Sequence, residues 1–158
     1  MADATFEEGA DRPVQLAAMD ADDLKVIAAM VQDAVLPVTE MTWDQKARSF
    51  AMLLNRFRWE DRADADRRSR PYERVRSLLI VDDILKVASQ GIDRSDSDIV
   101  LSLMTVEFEP GVDGAGRVVL TLAGDGAVAL DVECLNVTLR DVTRPYAAPS
   151  GKAPEHGD

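Results

Sequence analysis

The chain has 158 residues, 46% hydrophobic and 30% charged, with a formal net charge of -11, the profile of one folded domain rather than a disordered chain. That acidic balance excludes a general nucleic-acid binder, because phosphate-driven affinity needs a basic face. No stretch approaches the roughly 20 apolar residues of a membrane helix, and MADATFEEGADRP at the start has neither a basic n-region nor an apolar core, so no membrane contact and a cytoplasmic location are expected.

Residues 1–12 are polar, acidic and without period, and read as a mobile terminus. Val14 and Leu16 alternate like a short strand. Leu24, Ile27, Ala28 and Val31 then recur at i, i+3, i+4 and i+7, which predicts one amphipathic helix. Asp20 is placed as its N-cap, Asp22 and Asp23 favour its first turn, and Pro37 is expected to end it.

From there the period is two. VTEMTWD and ARSFAMLLNRFRWE predict two strands joined by a polar turn at 44–46. In the second, Phe50, Met52 and Leu54 share one face and Leu53, Phe57 and Trp59 the other, so both faces call for burial. The loop that follows, over 60–73, is long enough to be a partner-binding segment itself; a short helix over 61–68, for which ADADRR has the propensity, would blunt that argument. RVRSLLIVDDILKVAS is again apolar on both sides, with a break at Asp82 and Asp83. VLSLMTVEFEP, RVVLTLA and AVALDVECLNVTLRDV are separated by GVDGAG and by Gly124, Asp125 and Gly126, strong hairpin signals. The tail over 146–158 has no period and reads as an extended end with Tyr146 anchoring its start.

The expected architecture is a single α+β domain over 13–145. One N-terminal helix packs on a strongly curled antiparallel sheet, or partly closed barrel, of about seven or eight strands. A pleckstrin-homology-like barrel is the specific expectation, although that fold carries its helix last.

The catalytic inventory is thin. His156, in the tail, is the one histidine and reads as a bystander; the phosphate-loop, dinucleotide, nucleophile-elbow and zincin motifs are missing. DRSDSD puts carboxylates at positions 1, 4 and 6 with Met104 at position 12, which does not match a calcium loop and reads as a capped turn. Asp82 and Asp83 are adjacent, so on a strand they face opposite ways and form no acid-base pair. Cys134, the one cysteine, reads as a small buried hydrophobe. No metal and no cofactor are expected.

LLNRFRWEDRADADRRSRPYERVRS is the exception, a concentration of arginine in an acidic chain. Arg56 and Arg58 share a strand face that continues Phe50, Met52 and Leu54, and the next strand brings Arg74 and Arg76. In one register Arg58 faces Arg74 and Arg56 faces Arg76, an arrangement that needs an anion or nearby carboxylates. In the other, Trp59 faces Arg74 and Phe57 faces Arg76, giving cation-π pairs that need no ligand. The bland interpretation is arginines covering aromatic rings beside a solvated loop of interleaved charge. The functional one is a site for a small anion or an acidic protein partner, built from Arg56, Arg58, Trp59, Tyr72, Arg74 and Arg76.

LLNRFRWE, PYERV, SQGIDRSDSD with VLSL, EFEPG, RVVLTLAGDGA and RDVTRPYAAPSGKAP together resemble an alphaproteobacterial family catalogued as domain of unknown function 2948. The resemblance implies a small single-domain cytoplasmic protein without an assigned activity, cofactor or catalytic residue. Two functions are therefore expected from the residues themselves: a non-enzymatic binding or protein-interaction module, or alternatively a small enzyme acting on a phosphorylated or carboxylated metabolite. A homodimer, its second copy covering the two-sided strands, is compatible with either.

Overall fold

The computed structural model describes residues 12–154; the expectations for residues 1–11, for His156 and for the last residues of the tail lie outside them. Eleven strands and two short α-helices follow in chain order. They are β1 (Gln15–Ala18), α1 (Ala21–Met30), β2 (Val35–Pro37), β3 (Met41–Asp44), β4 (Ser49–Phe57), α2 (Arg62–Arg68), β5 (Glu73–Val81), β6 (Ile84–Gln90), β7 (Val100–Pro110), β8 (Gly116–Leu122), β9 (Ala127–Val132), β10 (Val137–Asp141) and β11 (Tyr146–Ala147).

This corrects the α+β expectation. The molecule is mostly antiparallel sheet in the order β1-β10-β5-β4-β2-β7-β8-β9-β6, with β11 on β5 and β3 on β4. Among the described residues the sheet stays open, because there β1 pairs with β10 alone and β6 with β9 alone. The strand count rises because β2 forms in residues read as the end of the helix, the run AVALDVECLNVTLRDV divides into β9 and β10, and β11 forms in the tail. A 3-10 turn at Val38–Glu40 separates β2 from β3, and Asp83, at φ 60, separates β5 from β6. Asp and Asn tolerate that left-handed conformation better than most residues.

At the same break, β9 gives way to β10. Glu133 N donates to Asp83 O at 2.9 Å and Asp82 N to Asn136 O at 2.9 Å, so the two-stranded ribbon turns a corner as a unit. Cys134 sits on this corner and is exposed, not buried as its apolar run implied, because the ladder is interrupted at residues 133–136. Its Sγ donates to Asp83 Oδ2 at 3.3 Å.

Helix α1 starts as the residues dictate: the Asp20 carboxylate accepts from Asp23 N at 2.8 Å. Leu24 and Ile27 are buried and the helix packs on β1 and β7; full burial of each such side chain contributes about 1.5–3 kcal/mol. It ends at Met30 rather than near Pro37, which instead closes β2. Helix α2 falls in the loop where ADADRR has the propensity, and ends at Ser69 in the left-handed conformation, φ 52. The DRSDSD segment is a turn held by its own side chains, with Ser95 N donating to Asp93 at 2.9 Å and Asp98 N to Asp96 at 3.0 Å. No helix among the described residues is long and apolar enough to cross a membrane.

The core lies on the inner face. Phe50, Met52 and Leu54 of β4, Leu79 and Val81 of β5, and Val137 and Leu139 of β10 meet Leu103, Val118, Leu120 and Leu130 from the other end of the sheet.

Candidate functional site

The register between β4 and β5 sets the fate of the arginines. Phe57 stands opposite Arg74, Asn55 opposite Arg76 and Arg56 opposite Val75. This is neither register anticipated above. It has the face assignment of the cation-π one, slipped by two residues, because a 3-10 turn at Trp59–Asp61 removes Trp59 from the strand. Arg58 N closes the pairing on Glu73 O at 2.9 Å. The four guanidiniums therefore do not converge: Arg56 and Arg58 belong to one face, Arg74 and Arg76 to the other.

Arg56 and Arg58 are buried. Arg56 Nε donates to Ser77 Oγ at 3.0 Å, its Nη1 and Nη2 reach the two Glu60 oxygens at 2.9 Å each, and Nη2 reaches both Asp141 oxygens at 3.0 Å. Ser77 Oγ donates to Asp141 at 2.6 Å, and Val14 N donates to the second Asp141 oxygen at 2.9 Å. Burial works against the Arg56 charge, but Glu60 and Asp141 more than offset it and hold its pKa above the usual arginine range. Arg58 pairs with Glu73 and lies 3.8 Å from Asp61. This is the carboxylate neutralisation that like-charged neighbours require, and it leaves these two side chains with structural partners.

The aromatic candidates are also engaged. Trp59 Nε1 donates to Gln32 O at 3.0 Å, its ring packs edge-on to Phe57 with centroids 4.7 Å apart, and Arg62 lies 5.9 Å from its centroid. Tyr72 stacks edge-on against Phe57 at 5.6 Å and donates to Asp66, which raises the phenol pKa above its ordinary value. Arg70 grips Asp61 with two bonds of 2.7 and 2.8 Å.

The outer face is different. Paired residues share a face, and across β1, β10, β5 and β4 the outward positions are Gln15 and Ala17, Thr138 and Arg140, Arg74, Arg76, Leu78 and Ile80, then Ser49, Ala51, Leu53, Asn55 and, buried under Trp59 and Tyr72, Phe57. Three of these are arginines and none is a carboxylate. Arg74 donates to Asn55 Oδ1 at 2.7 Å and to Asn55 O at 3.2 Å; burial lowers its pKa, with Tyr146 and Asp33 acting in the opposite direction. The Arg76 and Arg140 guanidiniums make no hydrogen bond or ion pair among the described residues, and both side chains are exposed.

Arg140 stands opposite Leu78, so Arg76 and Arg140 are diagonal neighbours across that leucine. A groove of about 260 Å³ opens beside Arg76, lined by Val35, Pro37, Glu40, Leu53, Asn55 and Val100 among others. It forms where the ladder parts: β2 meets β4 only at Val35 and Asn55, and β3 takes up β4 at Met41 and Met52. A second depression, of about 280 Å³, lies on the Arg140 side against Ala17, Ile80 and Thr138.

A family model described as "Protein of unknown function (DUF2948)" matches residues 14–156. The chain belongs to that family. Curated proteins and solved structures give no match. Membership in DUF2948 assigns no chemistry, so the chemistry of the DUF2948 site rests on its own residues. Among those described, no group of three His, Cys, Asp or Glu side chains is placed to hold a metal ion.

Sequence reasoning did not single out Arg140, Asp141, Glu60 or Ser77. The signal was present for two of them. In VTLRDV, alternation puts Asp141 on the buried side with Val137 and Leu139, and a carboxylate there calls for a buried cation. The same alternation puts Arg140 outside.

Proposed function

We propose that this chain is a non-enzymatic binding module that docks an anionic partner on the outer face of β1, β10, β5 and β4. One observation carries the reading. In a protein of net charge -11, arginine is the only ionised residue type at the outward positions of these four strands, with Glu40 entering at the groove beside Arg76, and two of the three guanidiniums make no hydrogen bond or ion pair among the described residues. Unneutralised like charges beside one another are a cost that a bound carboxylate or phosphate removes. Around them Leu53, Leu78 and Ile80 supply the apolar contact that gives an interface its affinity.

The alternative, a small enzyme acting on a phosphorylated or carboxylated metabolite, calls for a deep concave site with an acid-base carboxylate beside its arginines. Arg76 instead lines one groove, together with Glu40, and Arg140 another, so the two arginines do not converge on a single site.

Thermal unfolding against phosphorylated metabolites and dicarboxylates, alongside affinity capture from cell extract, tests the proposal with the wild type and Arg76→Glu/Arg140→Glu. A ligand at a hundredfold excess over its Kd adds about 2.7 kcal/mol of stability. The proposal expects a ligand or partner that the double variant loses while its own unfolding midpoint is kept. A full set of ligands and partners unchanged in the double variant defeats it.

A further inference from the structure

Resting on that reading, we infer that the occupant of the outer face is an acidic amphipathic helix of another protein, its apolar stripe on Leu53, Leu78 and Ile80 and its carboxylates on Arg76 and Arg140.

The form of the occupant follows from what the face offers. Inside a sheet the backbone N-H and C=O groups are committed to neighbouring strands, and β5 is paired on both sides by β4 and β10. A segment lying on this face gains no backbone partners from it, so it must satisfy its own, as a helix does. The three apolar side chains are half-buried and lie outside the main core cluster. A sheet with apolar residues on both faces needs a second covering layer; α1 serves the inner face, since its Leu24 and Ile27 belong to the core cluster, and α2 follows the Trp59 turn.

Charge decides the partner. A second copy packed face to face would set Arg76 and Arg140 against identical arginines, which is repulsive. An acidic helix meets them favourably. Diagonal cross-strand neighbours stand roughly 7–8 Å apart, and two carboxylates one helical turn apart are separated by about 5–6 Å at Cβ, a mismatch that flexible arginine stems absorb. A helix with apolar residues at i, i+3, i+4 and i+7 and Glu or Asp beside that stripe satisfies both demands.

The probes are designed peptides of about five turns, roughly 18 residues, titrated by fluorescence anisotropy into the intact protein. One carries a leucine stripe flanked by Glu, one the same stripe flanked by Lys, and one is the Glu peptide interrupted by proline. Vesicles of phosphatidylserine and phosphatidylcholine form a separate arm. The Glu-flanked helix is expected to bind, and Arg76→Glu/Arg140→Glu to weaken it about tenfold or more, the range of close interfacial charge pairs; the other two peptides bind at least as weakly as that. If the proline-interrupted peptide binds as tightly and is lost in the double variant, the helix is overturned while the anion-docking face stands. If the double variant changes nothing, or the Lys-flanked peptide binds equally, both fall. Failure of every peptide overturns the helix, and vesicle binding that depends on the two arginines then assigns the face to anionic lipid.

Discussion

Arg56 and Asp141 lie 85 positions apart in the chain and meet with one guanidinium nitrogen 3.0 Å from both carboxylate oxygens, on the inner side of β4 and β10. Replacing Arg56 with Met takes the guanidinium from between Asp141 and Glu60 and leaves Glu60 with its longer contact to Arg58, at 3.7 Å. The expected loss is about 3–5 kcal/mol, the cost of breaking a buried pair from one side, read as a lower urea midpoint. Arg76→Met, on the outer face of the adjacent strand, should stay within about 0.5 kcal/mol of the wild type. Equal effects would show that the inner network is not what holds these strands.

Acid should weaken the fold through its surface carboxylates. Asp131 is held below the usual carboxylate range chiefly by its hydrogen bond from Arg117, and Asp64 chiefly by that from Arg70. A carboxyl with a depressed folded pKa contributes stability that is present above its unfolded pKa, near 4, and lost as pH falls through the lower folded value. Urea midpoints should therefore hold from neutral pH to about 5 and fall below about 4. Asp131→Asn should differ most from the wild type at neutral pH, with the gap closing in acid.

The corner cysteine should be a sluggish nucleophile. Cys134 is exposed, yet its hydrogen bond to Asp83 raises the thiol pKa above its ordinary value. Since the thiolate is the reacting form, alkylation by iodoacetamide should rise with pH later than for a free cysteine. Asp83→Asn keeps a residue that accepts the φ of 60 and removes the charge, so its alkylation profile should move to lower pH. An unmoved profile would mean that Asp83 does not govern the thiol.

Gly91 should resist replacement. Its φ is +69, and an added Cβ would come within 2.7 Å of Asp125 O in the β8-β9 turn. Gly91→Ala should cost about 1–3 kcal/mol in chemical denaturation, from combined backbone strain and the clash. Gly124, at φ +82 with open space around it, carries the strain alone and should cost less.

Much of this architecture is legible in the residues. Alternation in SFAMLLNRF and SLLIV sorts the side chains into two faces, although both are apolar and neither is marked as the core side; Asp20 announces the start of α1, and Asp-Gly pairs mark the hairpin turns. What escapes is whatever depends on partners distant in sequence. Arginine at position 56 looks like the surface end of a strand because a lone guanidinium cannot be buried; Asp141 and Glu60 make it buriable, and neither is its neighbour on β4. The register turns on a 3-10 turn three residues long, too short to leave a periodic signature. Arg140 goes unremarked because its exposure gains meaning only when β10 is placed against β5, beside Arg76.

The pairing of β1 with β10 alone also bears on how the chain is made. Gln15 leaves the ribosome early, but its strand has no neighbour until Arg140 is synthesised, and Val14 waits 127 positions for the Asp141 carboxylate that accepts its amide. Contacts of such long sequence separation slow folding. The inner ion-pair network closes only when the last strands arrive, so a nascent chain halted before residue 137 would hold Arg56 and Glu60 without Asp141, and β5 without the strand that covers its edge.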